Sequence, residues 1–147
     1  MQHLFTYNPT GAELWQGGER DLHEALARNV KVATFAAWEF KPQNVGSGFT
    51  CYFGPFRDAG SMPPAEIEET RAIAKRLAEA LVRHLLRGEH VISLCSQGLN
   101  RSGLVSALAI MELTGWTGED TIKLIREKRS MFALNNGLFV DLILGKR

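Results

Sequence analysis

In the run CSQGLNRS, Cys95 and Arg101 stand six positions apart, with Ser96, Gln97, Gly98, Leu99 and Asn100 between them and Ser102 directly after. A thiol becomes a nucleophile when it ionises, and a guanidinium presents a planar fork that matches the oxygens of phosphate. The bare pair carries little weight, because at this composition chance places an arginine six positions after a cysteine roughly one time in seven. The setting carries more. The apolar run Val91 to Leu94 leads into Cys95, Gly98 stands where a tight loop needs unrestricted φ, and Leu104, Leu108 and Met111 mark a helix on the far side. A strand, a short loop and a helix N-terminus form a cradle for an anion: backbone N–H groups converge, the helix dipole adds positive potential, and Arg101 supplies a charged fork. Phosphate fits such a cradle. The same field favours a Cys95 thiolate at neutral pH, against the plainer alternative of an inert cysteine buried at a strand end.

Splitting a phosphate ester also needs a proton for the departing oxygen, which a positioned carboxylic acid supplies at a gain of about 10²–10⁴ in rate. The chain has four aspartates. Asp21 and Asp120 fall near expected helix starts, where a carboxylate answers the dipole, and Asp141 falls within the last helix. Asp58 alone lies in a Gly- and Pro-bounded loop, YFGPFRDAGSMPP, beyond a strand end. It is the candidate acid, against an ordinary solvated turn carboxylate, with Glu66 and Glu68 as substitutes. His3, His23, His84 and His90 show no ligand spacing, so neither a metal nor a cofactor is expected.

The elements that must position these residues alternate between short β-type runs and helical ones, the pattern of an α/β layer architecture. Leu14 to Gln16 reads as a strand closed by Gly17-Gly18, and Glu19 to Asn29 as a helix with Leu22 and Leu26 on one face. Val30 to Trp38 and Phe49 to Phe53 are short enough for strands, with a Gly/Ser loop between them. From Pro63-Pro64 a long helix places Ile67, Ala74, Leu77, Leu81 and Leu85 on one face, with Gly88 as its stop. The cations of that helix, Arg71, Lys75, Arg76, Arg83 and Arg87, read as a solvated face. Thr117 with Asp120 resembles a capping box opening a helix from about Gly118 to Arg129, and Asn135 to Leu144 forms the last. The expected fold is α/β, a central, largely parallel, twisted sheet flanked by helices, in a single domain over 1–147.

A chain of 147 residues with 45% hydrophobic side chains suits one core. Its 17 Lys and Arg against 16 Asp and Glu set up no global field, which argues against nucleic acid or an anionic membrane as partner and makes anion recognition local. No run is long enough to span a bilayer, the opening MQHLFTYNPTGAELW lacks a signal-peptide pattern, and two cysteines make no disulfide framework. A reduced, cytoplasmic setting is expected. Cys51 reads as a small buried apolar residue. The oligomeric state is not legible, a monomer being the default.

The chain resembles the protein tyrosine phosphatases of the dual-specificity type. CSQGLNRS matches their phosphate loop, which runs Cys, five residues, Arg, then Ser or Thr, and Gly98 stands at its internal glycine. YFGPFRDAGSMPP lies where the family carries a mobile loop with a general-acid Asp, and IREKRSMFALNNGLFVDLIL follows its order of Arg, apolar stretch, Asn, Phe and Leu. The acid precedes the nucleophile, unlike the order in low-molecular-weight tyrosine phosphatases. The resemblance implies a dual-specificity phosphatase-like fold and a metal-free reaction. In it Cys95 attacks phosphorus, Arg101 and the amides of Ser96, Gln97, Gly98, Leu99 and Asn100 hold the oxygens, Asp58 protonates the leaving group, and Ser102 assists departure of the thiolate. It implies a phosphorylated protein or peptide as substrate, with phosphotyrosine and also phosphoserine or phosphothreonine accepted. Two alternatives stay open. GLNRSG also resembles the loop of RNA 5′-triphosphatases of the same superfamily, and a pseudophosphatase would bind phosphoproteins without turnover. No lysine lies inside the loop, which argues against a highly charged inositol phosphate. Leu94 departs from the family, which commonly has a His there that helps organise the loop. Some members protect the nucleophile with a second cysteine, a role that Cys51 would fill as a Cys51–Cys95 disulfide.

Overall fold

Residues 1–38 and 48–146 are described by the computed structural model, and the expected Gly/Ser loop after Trp38 lies outside them. The sheet begins with a strand that has no expected counterpart. β1 (Gln2–Tyr7) turns back through Gly11, at φ +78°, and pairs antiparallel with β2 (Ala12–Gly18). It lies at the sheet edge with Leu4 as its one fully enclosed side chain, so its period-2 signal is faint. After β2 the expected helix from Glu19 to Asn29 is shorter. Glu19–Asp21 is a 3-10 turn, and α1 spans only Leu22–Ala27. The Asp21 carboxylate accepts from Gly18 N at 2.9 Å, a local bond that competes with helix formation, and Asn29 ends the segment at φ +63°.

β3 (Val32–Phe35) is likewise shorter than Val30 to Trp38: Ala36 N still donates to Leu94 O at 3.0 Å, but pairing stops there. β4 (Thr50–Phe53), α2 (Pro64–Leu86), β5 (Val91–Cys95), α3 (Arg101–Thr114), α4 (Gly118–Lys128) and α5 (Gly137–Leu144) follow. Among the described residues the strands form one sheet in the order β1-β2-β5-β3-β4, parallel except for β1. Thr117 caps α4, accepting from Asp120 N at 3.1 Å, while α5 starts two residues later than expected because Asn136 is its cap. No helix among the described residues is long and apolar enough to cross a membrane.

β5 sits between β2 and β3, so both its edges are paired and all of its side chains are buried. Alternation along it assigns those side chains to two faces. Val91 and Cys95 join Leu14, Leu77, Leu104 and Phe139 in the larger core, under α2 to α5. Ile92 and Leu94 join Leu22, Ala25, Ala33 and Phe35 in a smaller core, under α1. Cys95 thus ends the central strand on the face where α3 begins.

Candidate active site

From Cys95 the chain turns into α3 through five residues, and the carbonyls of the first four are bonded to partners outside the turn, while Asn100 O accepts from Leu104 N within α3. Ser96 O accepts from Glu19 N at 3.2 Å and Leu99 O from Leu134 N at 3.2 Å. Gln97 O accepts from Arg129 Nη2 at 3.0 Å, and Gly98 O from both Gln16 Nε2 and Arg129 Nε at 2.9 Å. A peptide with its oxygen held outside presents its N–H inside, so the loop amides converge on one point. Gly98 makes the tightest corner, at φ +74°, where an added Cβ would lie 2.3 Å from the Gly17 carbonyl carbon.

The convergence point is Cys95. Gly98 N donates to its Sγ at 3.3 Å, and Sγ and the Ser102 hydroxyl are hydrogen-bonded at 3.3 Å. Sγ lies ahead of the first turn of α3, whose dipole adds positive potential. Ser93 Oγ donates to Ser102 O at 2.9 Å and ties that turn to β5. Arg101 is 9% exposed; its Nη2 donates to Ser96 Oγ at 3.0 Å and its Nη1 to Phe56 O at 3.4 Å. Cys95, Ser96, Gly98, Arg101 and Ser102 therefore meet in one cradle, while the Gln97 side chain is exposed and Leu99 packs against the larger core.

Asp58 reaches this cradle from the loop after β4. Phe56 anchors that loop by an edge-on contact with Phe139, with ring centroids 5.8 Å apart. The carboxylate then accepts from two amides, Asn100 Nδ2 at 3.1 Å and Asn136 Nδ2 at 2.8 Å. Asn136 also accepts from Leu138 N and Phe139 N as the cap of α5, and its own N–H donates to Asn100 Oδ1 at 3.0 Å. The substitute acids are occupied elsewhere. Glu66 accepts from Arg57 Nε at 2.6 Å and Nη2 at 2.5 Å, and these bonds, helped by the guanidinium charge, hold its carboxyl below the usual carboxylate range. Glu68 is exposed and bonded to Arg71 at 3.2 Å.

The structure corrects the suggested Cys51–Cys95 pairing. Cys51 aligns with Ala33 on β3 and through it with Ile92, so it sits two strands from β5 and against the smaller core, on the opposite face from Cys95. Strands about 4.8 Å apart put the two Cα atoms beyond the roughly 7 Å that a disulfide allows. Both cysteines are free, and burial pushes the Cys51 thiol up to about 12. Leu94 is turned into the smaller core, away from the cradle. Four further residues shape the site: Gln16, Ser93, Arg129 and Asn136. Gln16 and Ser93 were visible only as polar residues inside strand runs, while Arg129 and Asn136 fall in IREKRSMFALNNGLFVDLIL, whose order of Arg and Asn carried part of the resemblance.

No protein-family model and no curated protein matches the chain. Solved structures do match its backbone. Human DUSP28 is 19% identical over 90% of this chain and 86% of its own, with a TM-score of 0.74. The human tyrosine phosphatase-like serine/threonine/tyrosine-interacting protein is 18% identical over 99% of this chain and 94% of its own, at 0.75. OH1 from the Orf virus, a tyrosine phosphatase with triple substrate specificity, is 19% identical over 90% and 81%, at 0.69. At such identities the agreement lies in the path of the backbone, and it extends over nearly all of the sheet and its helices: this chain has the fold of the dual-specificity type of protein tyrosine phosphatases.

Proposed function

We propose that the protein is a cysteine-dependent phosphatase that hydrolyses phosphate monoesters through a phosphocysteine intermediate. The observation that carries this reading is the outward set of carbonyls from Ser96 to Leu99, which leaves an amide-lined cradle with Cys95 at its base and Arg101 at its end. A phosphoryl group seated there exchanges water for fixed N–H donors and a guanidinium, which stabilise the charge on its equatorial oxygens as the reaction proceeds. The Cys95 thiolate attacks phosphorus as the bond to the leaving oxygen breaks, and Asp58 protonates that oxygen. Water then attacks the phosphocysteine and gives its proton to Asp58. The electron pair of the P–S bond returns to sulfur, and the Ser102 hydroxyl, 3.3 Å away, stabilises the departing thiolate. In this reading Asn100 and Asn136 act through Asp58, whose carboxylate accepts from both side-chain amides, and are positioning residues.

The substrate class that fits is a phosphorylated protein or peptide. The near balance of charge supports no extended polyanion, and a free thiol nucleophile suits a reducing compartment. The test is hydrolysis of p-nitrophenyl phosphate with and without a chelator. Wild type is expected to turn over in both conditions, Cys95→Ser to lose turnover while still binding vanadate, and Arg101→Lys to fail because a point charge does not reproduce the fork. Tight binding of a phosphotyrosine peptide by wild type with no hydrolysis would make the protein a phosphoprotein reader instead.

A further inference from the structure

The second arginine of IREKRSMF, Arg129, is a part of the motif to which the proposed reaction gives no task. Arg129 follows the last turn of α4, and its guanidinium reaches behind the loop at Cys95. Nη2 donates to Gln97 O at 3.0 Å, Nε donates to Gly98 O at 2.9 Å, and Nη1 donates to Gln2 Oε1. The peptide joining Gln97 to Gly98 therefore has its oxygen on Arg129 and its N–H on Cys95 Sγ, at 3.3 Å. A single peptide plane separates a permanent cation from the sulfur. A cation at a carbonyl oxygen draws electron density to that end and leaves the N–H a stronger donor, and linked hydrogen bonds reinforce one another by about 10–30%. Arginine keeps its charge at any working pH, so this polarisation does not titrate away.

We propose that Arg129 is a positioning residue that stabilises the Cys95 thiolate through the Gln97–Gly98 peptide. The proposal rests on Cys95 being the nucleophile of the reaction above. Leu94 offers the loop no side-chain hydrogen bond, which leaves Gln16 and Arg129 to hold Gly98 O at the middle of the loop. Among the described residues, the other charged groups tied to the loop at Cys95 are Arg101 at the start of α3 and Asp58, which accepts from Asn100. Beside it β2 brings Gly18, and the following turn brings the backbone amide of Glu19, with Glu19, Arg20 and Asp21 lining the cleft on the Arg129 side.

The experiment is the pH dependence of iodoacetamide alkylation at Cys95, located by mass spectrometry, because it reads the thiolate without phosphatase turnover. Cys51, raised to about 12, remains a thiol across the range. Arg129→Gln keeps N–H donors without charge, and Arg129→Lys keeps charge without the fork. The alkylation midpoint is expected to rise by about half to one unit in Arg129→Gln, since the intervening peptide weakens the ~1–3 units exerted by a cation in direct contact. Arg129→Lys should recover part of that shift. Midpoints equal to wild type in both variants would overturn the proposal and leave Arg129 as a brace of the fold alone. Hydrolysis of p-nitrophenyl phosphate is measured on the same samples. A shifted midpoint in a protein that never hydrolyses it would sink the phosphatase reading and leave the Arg129 inference standing, whereas turnover with unmoved midpoints would do the reverse.

Discussion

At Asp58 both carboxylate oxygens are met by amide donors, Asn100 Nδ2 and Asn136 Nδ2, although the residue itself is exposed. Those amides tie the carboxyl to Asn100, the last residue of the loop that starts at Cys95, and to the cap of α5. The rate of the proposed reaction should then follow a bell in pH. Its acidic limb reports formation of the thiolate and ionisation of the substrate, and its alkaline limb reports loss of the acid's proton. Asp58→Asn should flatten the alkaline limb and lower kcat by about 10²–10⁴ on a substrate whose leaving group needs a proton. The loss should be smaller on p-nitrophenyl phosphate, whose leaving group departs without help. An alkaline limb that survives unchanged in Asp58→Asn would remove Asp58 from the reaction. Glu66 could not simply replace it, because both its oxygens are committed to Arg57.

Two elements deliver the acid. The loop after β4 is strapped to the start of α2 by Arg57 and Glu66, and the α4–α5 connection holds it from the other side through Asn136. Since Arg57 lowers the Glu66 carboxyl, the strap is in full force above the ordinary glutamate value of about 4.3 and is lost as acid protonates Glu66 below it. Asn136 has two tasks that substitution can separate. Asn136→Ala loses the cap and the Asp58 bond together, so it should cost about 1 kcal/mol of stability as well as activity. Asn136→Asp keeps a good cap at the N-terminus of α5 but sets a second carboxylate against Asp58. It should hold the thermal midpoint near wild type while kcat at neutral pH falls on the order of tenfold, by misplacing the acid. Full kcat in Asn136→Asp would show that this contact does not position Asp58.

At the scale of the molecule, three segments among the described residues bond to the loop at Cys95: the Asp58 loop, the turn after β2 and the α4–α5 connection. A cleft of about 500 Å³ lined by Glu19, Arg20, Asp21, Ser96, Gln97 and Arg129 adjoins the loop. Tyrosine phosphate holds its phosphorus farther from the peptide backbone than serine or threonine phosphate does, so wall height decides which can reach Cys95. In the proposed reaction phosphotyrosine and phosphothreonine peptides should both be hydrolysed, the former faster because its aromatic leaving group departs more easily. Triphosphorylated RNA should be slower still, since the chain carries a net charge of only +1. Comparing kcat/KM for the three substrates at one salt concentration checks the order. A preference for RNA of about tenfold, equivalent to ~1.4 kcal/mol in transition-state binding, would overturn it.

The sequence by itself determined the local part of this protein. Cys95, Gly98, Arg101 and Ser102 were legible because a strand, a tight loop and a helix N-terminus are consecutive, so their geometry depends on neighbours a few residues away. Asp58 stood out by elimination, as the one aspartate outside a helical context, and its carboxylate meets Asn100 of that loop. The edge strand β1 was not, because it is mostly half-buried and its alternation is weak. The second half of the site was legible only in part: the order of Arg and Asn in IREKRSMFALNN followed the family, but nothing in it said what those residues meet. Gln16 meets Gly98 across 82 positions, Arg129 meets Gln97 across 32, and Asn136 meets Asp58 across 78. Each is an ordinary polar residue until the chain folds, and its effect lies in which carbonyl or carboxylate it meets. Cys51 shows the same division: its chemistry permitted a bond to Cys95, and strand order and side-chain parity placed the two sulfurs on opposite faces of the sheet. Residue type sets what a group can do, whereas tertiary packing sets which atom stands in front of it, since hydrogen bonds and disulfides act over only a few ångströms.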